Sequence, residues 1–345
     1  MKQSFYYENG LFNVGEAVRR STAFNFIIGG RGTGKTYDSL RWCLKEHKKF
    51  LFMRRLQKET DMISRDELSP FRVYGDMFGG PVLCRPISKY VTGVYFSVRD
   101  EEGNDIPTGA PIGEICALSS IANLRGFDTS DIEYIIFDEF IPEKSSAKQK
   151  YLGDALLNAY ETINRNRELF GKPPVKLFAL ANSNDLGNDI FISLGLVRAV
   201  EKMSRKGQEF YQDRKRGVTV IMLTRSVISE KKRKTALYQL TSGSEYEKMA
   251  LENDFAYDDR FNIKTRPVRE YRPLFSWGGI TCYEHKSKPE FYVTFHLSGS
   301  PEMFDGEVGR VECRRRYAPI WKAYFSGTVY FETYDVLRIF RKLYE

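Results

Sequence analysis

Residues Gly29-Gly-Arg-Gly-Thr-Gly34-Lys35-Thr36 limit what this chain can fold into more than any other stretch. They fit the spacing G-x-x-x-x-G-K-[ST] in full. Glycines reach backbone angles that side chains resist, so several N–H groups can turn inward around one anion. A lysine at position 35 brings a compact positive charge to the β and γ phosphates of a nucleotide. The Thr36 hydroxyl suits a magnesium ligand. The flanks agree with this reading. Residues 24–28, Phe-Asn-Phe-Ile-Ile, read as a short buried strand, and a helix is expected from Lys35. Its positive dipole end would face the anion. Leu40, Trp42, Cys43 and Leu44 can supply that helix with an apolar face. Gly29, Gly30, Arg31, Gly32, Thr33, Gly34, Lys35 and Thr36 are therefore expected to bind the phosphates, and Lys35 to act in catalysis as well.

A second motif completes such a site. Tyr134-Ile-Ile-Phe-Asp138-Glu139 is an apolar strand that ends in two acids. A carboxylate there falls at the C-terminal edge of a sheet, beside the phosphates. Asp138 would hold Mg²⁺, and Glu139 would orient and deprotonate the attacking water. Adjacent acids after a core strand mark ATPases of the additional-strand class. Asn182, at the end of a strand over 175–181, stands where such enzymes place a polar sensor for water or γ-phosphate; a turn-forming Asn is the rival reading. Arg167, on or just after a helix, can reach a neighbouring subunit's nucleotide or lie on a solvated helix face. Arg54-Arg55 follows the second strand and could stack on adenine or bind a phosphate or an acid. The chain has no Asn-Lys pair, which a GTPase specificity motif would need, so ATP is the expected nucleotide.

The remaining pattern alternates strands with helices. Strands are expected at 50–53, 90–98, 134–137, 175–181 and 218–223, with a polar turn at 100–105 and a helix over 151–169. That alternation predicts an α/β fold with a mainly parallel sheet. The boundaries expected are a P-loop motor domain over 1–225, a partly helical connector over 226–253 and a small α+β domain over 254–345. Helical spacing is expected over 236–253 and again over 334–344.

Composition narrows the class. No apolar run approaches the ~20 residues that span a bilayer. Met1-Lys2-Gln3-Ser4 has no apolar segment behind it, so no signal peptide is expected. The five cysteines are scattered without a Cys-x-x-Cys pair, and buried reduced thiols are expected. Three unclustered histidines argue against zinc. The net charge of +8 favours polyanionic partners. Its clustering in Arg214-Lys215-Arg216, Lys231-Lys232-Arg233-Lys234 and Arg314-Arg315-Arg316 points toward nucleic acid.

These segments together resemble the DNA-encapsidation ATPases of small short-tailed phages, the phi29-like packaging motors. The resemblance rests on residues 25–37, Phe52-Met-Arg-Arg55, Ile136-Phe-Asp-Glu-Phe-Ile141, Arg165-Asn-Arg-Glu168 and Leu180-Ala-Asn-Ser183, then on Lys232-Arg-Lys-Thr235 and Gly243-Ser-Glu-Tyr246. It runs over about 24–255 and is weaker beyond. It implies an ATPase that drives double-stranded DNA into a preformed capsid. The family works as a ring, usually of five copies, at the portal vertex in the host cytoplasm, and some members use a structural RNA as a scaffold. It lends Arg167 the role of a trans-acting arginine finger, with Arg165 as the rival. It also implies a C-terminal domain like a degenerate RNase H-type nuclease. Asp254, Asp258, Asp259 and Asp305 do not assemble into a two-metal constellation by sequence, so DNA or portal binding without cleavage is expected. Other P-loop classes remain open: a helicase, or a kinase or switch acting on a substrate other than DNA. A filamentous-phage secretion ATPase would require a transmembrane segment.

Overall fold

The computed structural model describes residues 4–124, 128–142, 152–182, 186–223, 231–244, 247 and 262–344. Contacts divide the chain into two units, Met1–Asn184 with Ala199–Ala256, and Asp185–Arg198 with Tyr257–Glu345.

The first unit is built on strands β1 (Phe24–Gly29), β2 (Phe50–Arg54), β3 (Leu83–Pro86), β4 (Thr92–Arg99), β5 (Asp105–Ala117), β6 (Tyr134–Asp138), β7 (Lys176–Ala181), β8 (Phe210–Asp213) and β9 (Val218–Leu223). They form one sheet in the order β3-β4-β5-β2-β6-β7-β1-β9-β8. In that order the six strands from β5 to β9 run parallel, and antiparallel strands close each edge. The fold is thus a mixed α/β sheet. Its central strands are buried along nearly their whole length, which is why they read as unbroken apolar runs rather than alternating ones. Asn25 is the polar exception in β1. Its amide donates to Thr22 O and Leu177 O at 2.8 and 3.0 Å, so its burial leaves no polar group unmatched there.

The helix Lys35–Lys45 packs Leu40, Cys43 and Leu44 onto one face of the sheet, in a cluster with Ile27, Phe50, Phe52, Ile136, Phe178 and Leu180. Trp42 lies at the rim of that face, edge-on to Tyr134 at 5.1 Å. Gly113 in β5 stands opposite Phe50 in β2. A Cβ on Gly113 would fall 2.3 Å from Phe50 Cζ, so the ring occupies the space a side chain would need. The helix expected over 151–169 is shorter: it spans Leu152–Asn164. Arg165 breaks it with a φ of 46°, and a 3-10 turn Arg167–Phe170 follows. Of the helix expected over 236–253, Ala236–Leu240 is helical and Thr241–Gly243 forms a turn. Residues 245, 246 and 248–253 lie outside the described residues, as do Asp254, Asp258 and Asp259.

The second unit has strands β10 (Tyr271–Trp277), β11 (Ile280–His285), β12 (Phe291–Thr294), β13 (Glu302–Phe304) and β14 (Val329–Phe331). Their order is β13-β10-β11-β12-β14, an antiparallel meander with a parallel strand on each edge. Gly278 and Gly279 join β10 to β11 with φ of 58° and 81°, angles that suit a two-residue hairpin. The helix Tyr334–Tyr344 buries Val336, Leu337, Phe340 and Leu343 at the expected helical spacing. All five cysteines are buried free thiols. Among the described residues no helix is long and apolar enough to cross a membrane.

Candidate nucleotide site

The parallel strands bring their C-terminal ends to one edge, and the motif residues sit there. β1 ends in Gly29 and the loop begins. Gly32 and Gly34 have φ of 78° and 81°, which only glycine adopts without strain. Gly29 is required by packing instead: a Cβ there would lie 2.7 Å from Leu223 Cβ in β9. The loop closes into a tight cradle. Thr33 Oγ1 donates to Gly30 O at 3.0 Å, and Lys35 Nζ donates to Gly29 O, Gly30 O and Thr33 Oγ1 at 2.8, 2.9 and 3.1 Å. Burial pushes the Lys35 ammonium down to about 7; Asp138 pulls it back up and Lys232 pushes it down further. A desolvated ammonium facing only carbonyl and hydroxyl oxygens gains most from an anion.

β7 lies between β1 and β6, so the strand that carries Asp138 is not the neighbour of the loop strand. Asp138 pairs with Leu180 in β7, and Ala181 pairs with Ile28 in β1. That register sets Asp138 at the level of the loop. The Thr36 hydroxyl donates to Asp138 Oδ1 at 2.9 Å, across 102 residues of sequence. Asn182, half-buried, directly follows β7 at the same edge. The hydroxyl and the carboxylate present two hard oxygen donors beside the glycine loop. That donor set fits Mg²⁺ carrying a nucleotide phosphate.

Glu139 turns out of β6 with a φ of 56°, an angle that costs a side-chain-bearing residue free energy and clusters at functional sites. Its partner is Arg54, the last residue of β2. Arg54 Nη1 donates to Asp138 Oδ2 and Nη2 to Glu139 Oε2, both at 2.8 Å. β2 neighbours β6, with Met53 opposite Phe137, so Arg54 emerges level with the two acids. Of the three readings open to Arg54 in the sequence, the contact to an acid is the one this structure contains. The neighbouring Arg55 is fully buried and reaches Glu59 Oε1 at 3.3 Å.

Arg167 and Arg165, the two candidates for an arginine that serves a neighbouring copy's nucleotide, follow the helix Leu152–Asn164. Arg167 is half-buried and donates to Ile132 O, just before β6 begins. Its Nε has no hydrogen-bond partner among the described residues. Ile132 precedes the start of β6 and Asp138 ends it, roughly 20 Å apart at strand spacing, so this contact holds Arg167 at the end of the strand away from the glycine loop. Arg165 is exposed in the adjoining turn.

The basic runs separate. Arg214, Lys215 and Arg216 are exposed at the β8–β9 turn, at the end of the sheet away from the loop. Arg314, Arg315 and Arg316 are exposed on the helix Gly306–Arg316 of the second unit. Lys232 comes to the glycine loop itself, and its Nζ donates to Arg31 O at 2.9 Å. Sequence reasoning missed that placement: Lys232 stood out there as part of a basic run and of the segment Lys232-Arg-Lys-Thr235, with no sign of where it packs.

Comparisons with known proteins agree on one group. A family model of the podovirus DNA encapsidation protein (Gp16) matches residues 108–277. The DNA packaging protein of Bacillus phage B103 is 27% identical over 250 residues, covering 70% of this chain and 67% of that protein. The DNA packaging protein of Bacillus phage phi29 is also 27% identical, over 274 residues that cover 77% of this chain and 70% of its own. The solved bacteriophage Phi-29 viral genome packaging motor assembly superimposes with a TM-score of 0.60 at 20% identity, over 97% of this chain and 99% of that one. The Phi-28 gp11 DNA packaging motor gives 0.58 at 18% identity, over 98% of each chain. At those identities the structural likeness is one of fold. The family model and the curated relatives agree on one group: this chain is similar to the podovirus DNA encapsidation proteins.

Proposed function

We propose that this chain is the ATPase of a DNA-packaging motor. It binds MgATP at residues 29–36, hydrolyses it, and drives double-stranded DNA into a preformed capsid. It works as a ring of copies, five by family resemblance, at the portal vertex in the host cytoplasm. The observation that carries the reading is the bond between the Thr36 hydroxyl and the Asp138 carboxylate, 2.9 Å, at the mouth of the glycine loop. The interposed strand β7 and the adjacent Glu139 support assignment to the additional-strand class of ATPases.

Each residue then has a task. The loop amides and Lys35 bind the β and γ phosphates. Thr36 and Asp138 would hold Mg²⁺, which offsets phosphate charge when bound. Glu139 takes the proton of the attacking water once its carboxylate leaves Arg54, and Asn182 orients that water. Arg165 or Arg167 serves the nucleotide of a neighbouring copy, since Arg167 lies at the far end of β6 from its own loop. The exposed basic runs at 214–216 and 314–316 would grip DNA phosphates without reading sequence. The second unit binds DNA or the portal and does not cut.

The test is phosphate release by the full chain with and without double-stranded DNA, across a salt series. Stimulation by DNA, with affinity falling steeply as salt rises, is the expected result. Lys35→Ala should abolish both nucleotide binding and turnover. Hydrolysis indifferent to DNA would favour a kinase or switch, and strand displacement would favour a helicase. Packaging of DNA into empty capsids by this chain is the decisive measurement.

A further inference from the structure

We propose that Lys232 is a second lysine of the phosphate site, supplied in cis by the segment after β9, and that its ammonium contacts the terminal phosphate of ATP. The proposal rests on the nucleotide-site reading above and names a ligand contact that the P-loop motif does not include.

The geometry is specific. Lys232 lies 201 residues from Arg31, yet its Nζ donates to Arg31 O at 2.9 Å. It sits against the open face of Gly32, where an ideal Cβ would fall 2.5 Å from Nζ. Gly32 therefore serves twice, by its positive φ and by leaving room for the ammonium. Arg31 O uses one of three ammonium donors. Among the described residues no carboxylate pairs with Lys232. Lys35 closes the same loop from the inside, at Gly29 O and Gly30 O. Two ammonium groups thus converge on one short loop and repel each other. A polyphosphate is the ligand chemistry that reverses that repulsion, because its charge attracts both.

Position along the loop says which phosphate. The end of the loop and the first turn of the helix from Lys35 take the inner phosphates, through amides at the helix N-terminus. Lys35 Nζ, at Gly29 O and Gly30 O, is the group that reaches the β and γ phosphates, and Lys232 arrives at the next two residues, Arg31 and Gly32. Lys232 should therefore distinguish ATP from ADP. Its backbone is tied to the next helix: Thr235 N and Thr235 Oγ1 both donate to Lys232 O at 2.8 Å, at the head of Ala236–Leu240. Arg233 and Gly243 N both reach the Glu247 carboxylate, at 3.3 and 2.7 Å, which folds the segment into one piece. Loss of the terminal phosphate would release one anchor of that piece.

The experiment compares Lys232→Met, Lys232→Arg and Lys35→Ala in the full chain, by titrating a non-hydrolysable ATP analogue and ADP with Mg²⁺. Thermal unfolding of each variant checks the fold. Lys232→Met is expected to weaken the ATP analogue by about tenfold or more, as for loss of a charge-assisted hydrogen bond, and to leave ADP within about twofold. Lys232→Arg, which keeps the charge, should recover most of that loss. Unchanged affinity for both nucleotides, or equal weakening of both, overturns the proposal. If Lys35→Ala abolishes binding while Lys232→Met alters nothing, only the Lys232 contact falls. If Lys35→Ala also binds normally, the nucleotide-site reading falls with it.

Discussion

Arg54 is the residue whose removal tests the catalytic geometry most directly. It holds Asp138 Oδ2 and Glu139 Oε2 at 2.8 Å each, from a side chain only 18% exposed. Protonating Glu139 removes the charge that strengthens its bond to Nη2, so taking a proton from water weakens or opens that bond. Opening one charge-assisted bond costs about 1.5–3 kcal/mol, or roughly a 10–150-fold penalty on the competent arrangement. The Glu139 side chain is 33% exposed, so solvent screening favours the lower end. Arg54→Met keeps the apolar stem and removes the guanidinium, so Glu139 no longer has a bond to Nη2 to break. Basal phosphate release at saturating MgATP, without DNA, is expected to rise about tenfold, and the ratio of DNA-stimulated to basal rate to fall toward one. Nucleotide titration and circular dichroism check that binding and fold survive. A folded Arg54→Met variant that binds MgATP and turns over at the wild-type basal rate or slower would refute the reasoning. Arg54 would then position the acids rather than restrain them.

The other expectations are briefer. Glu139→Gln should bind MgATP through the intact loop and lose ~10²–10⁴-fold in turnover, since the amide keeps the shape and loses the base; near-normal steady-state hydrolysis would assign the base to another group. Mixing Glu139→Gln with Arg167→Ala subunits, and separately with Arg165→Ala subunits, should restore part of the ATPase for whichever arginine acts across a subunit boundary. No recovery in rings shown to be mixed would leave that arginine a structural role, which for Arg167 means its bond to Ile132 O. Gly113→Ala drives a Cβ to 2.3 Å from Phe50 Cζ in the core and should cost ~1–3 kcal/mol, read as a lowered melting temperature; an unchanged transition would show that the ring moves aside freely.

The sequence by itself determined the chain's local chemistry. A strand, a glycine loop and a helix follow one another at residues 24–45, and neighbours in sequence decide that geometry. The apolar run ending in Asp138 and Glu139 was equally plain, because a strand buried on both faces reads as a nearly continuous apolar run. The edge strands β3 and β8 carry no such run, so the strands expected from sequence omitted them. Helix ends were misjudged where one residue decided them: Arg165, in a left-handed conformation, stops the helix that composition would carry on.

Long-range pairing decided the rest. Nothing local to β7 says that it lies between β1 and β6, because strand order is set by how side chains from distant segments fill one core. That order determines which strand ends become neighbours. It places Arg54 beside Asp138 and Glu139, 84 and 85 residues away, and so turned an arginine with three readings into one that holds both acids. The same physics brought Lys232 to Arg31 O. A motif names the groups that touch a phosphate when they are contiguous in sequence. The groups that restrain or complete them arrive from other strands and segments, and only the packed sheet sets their distance.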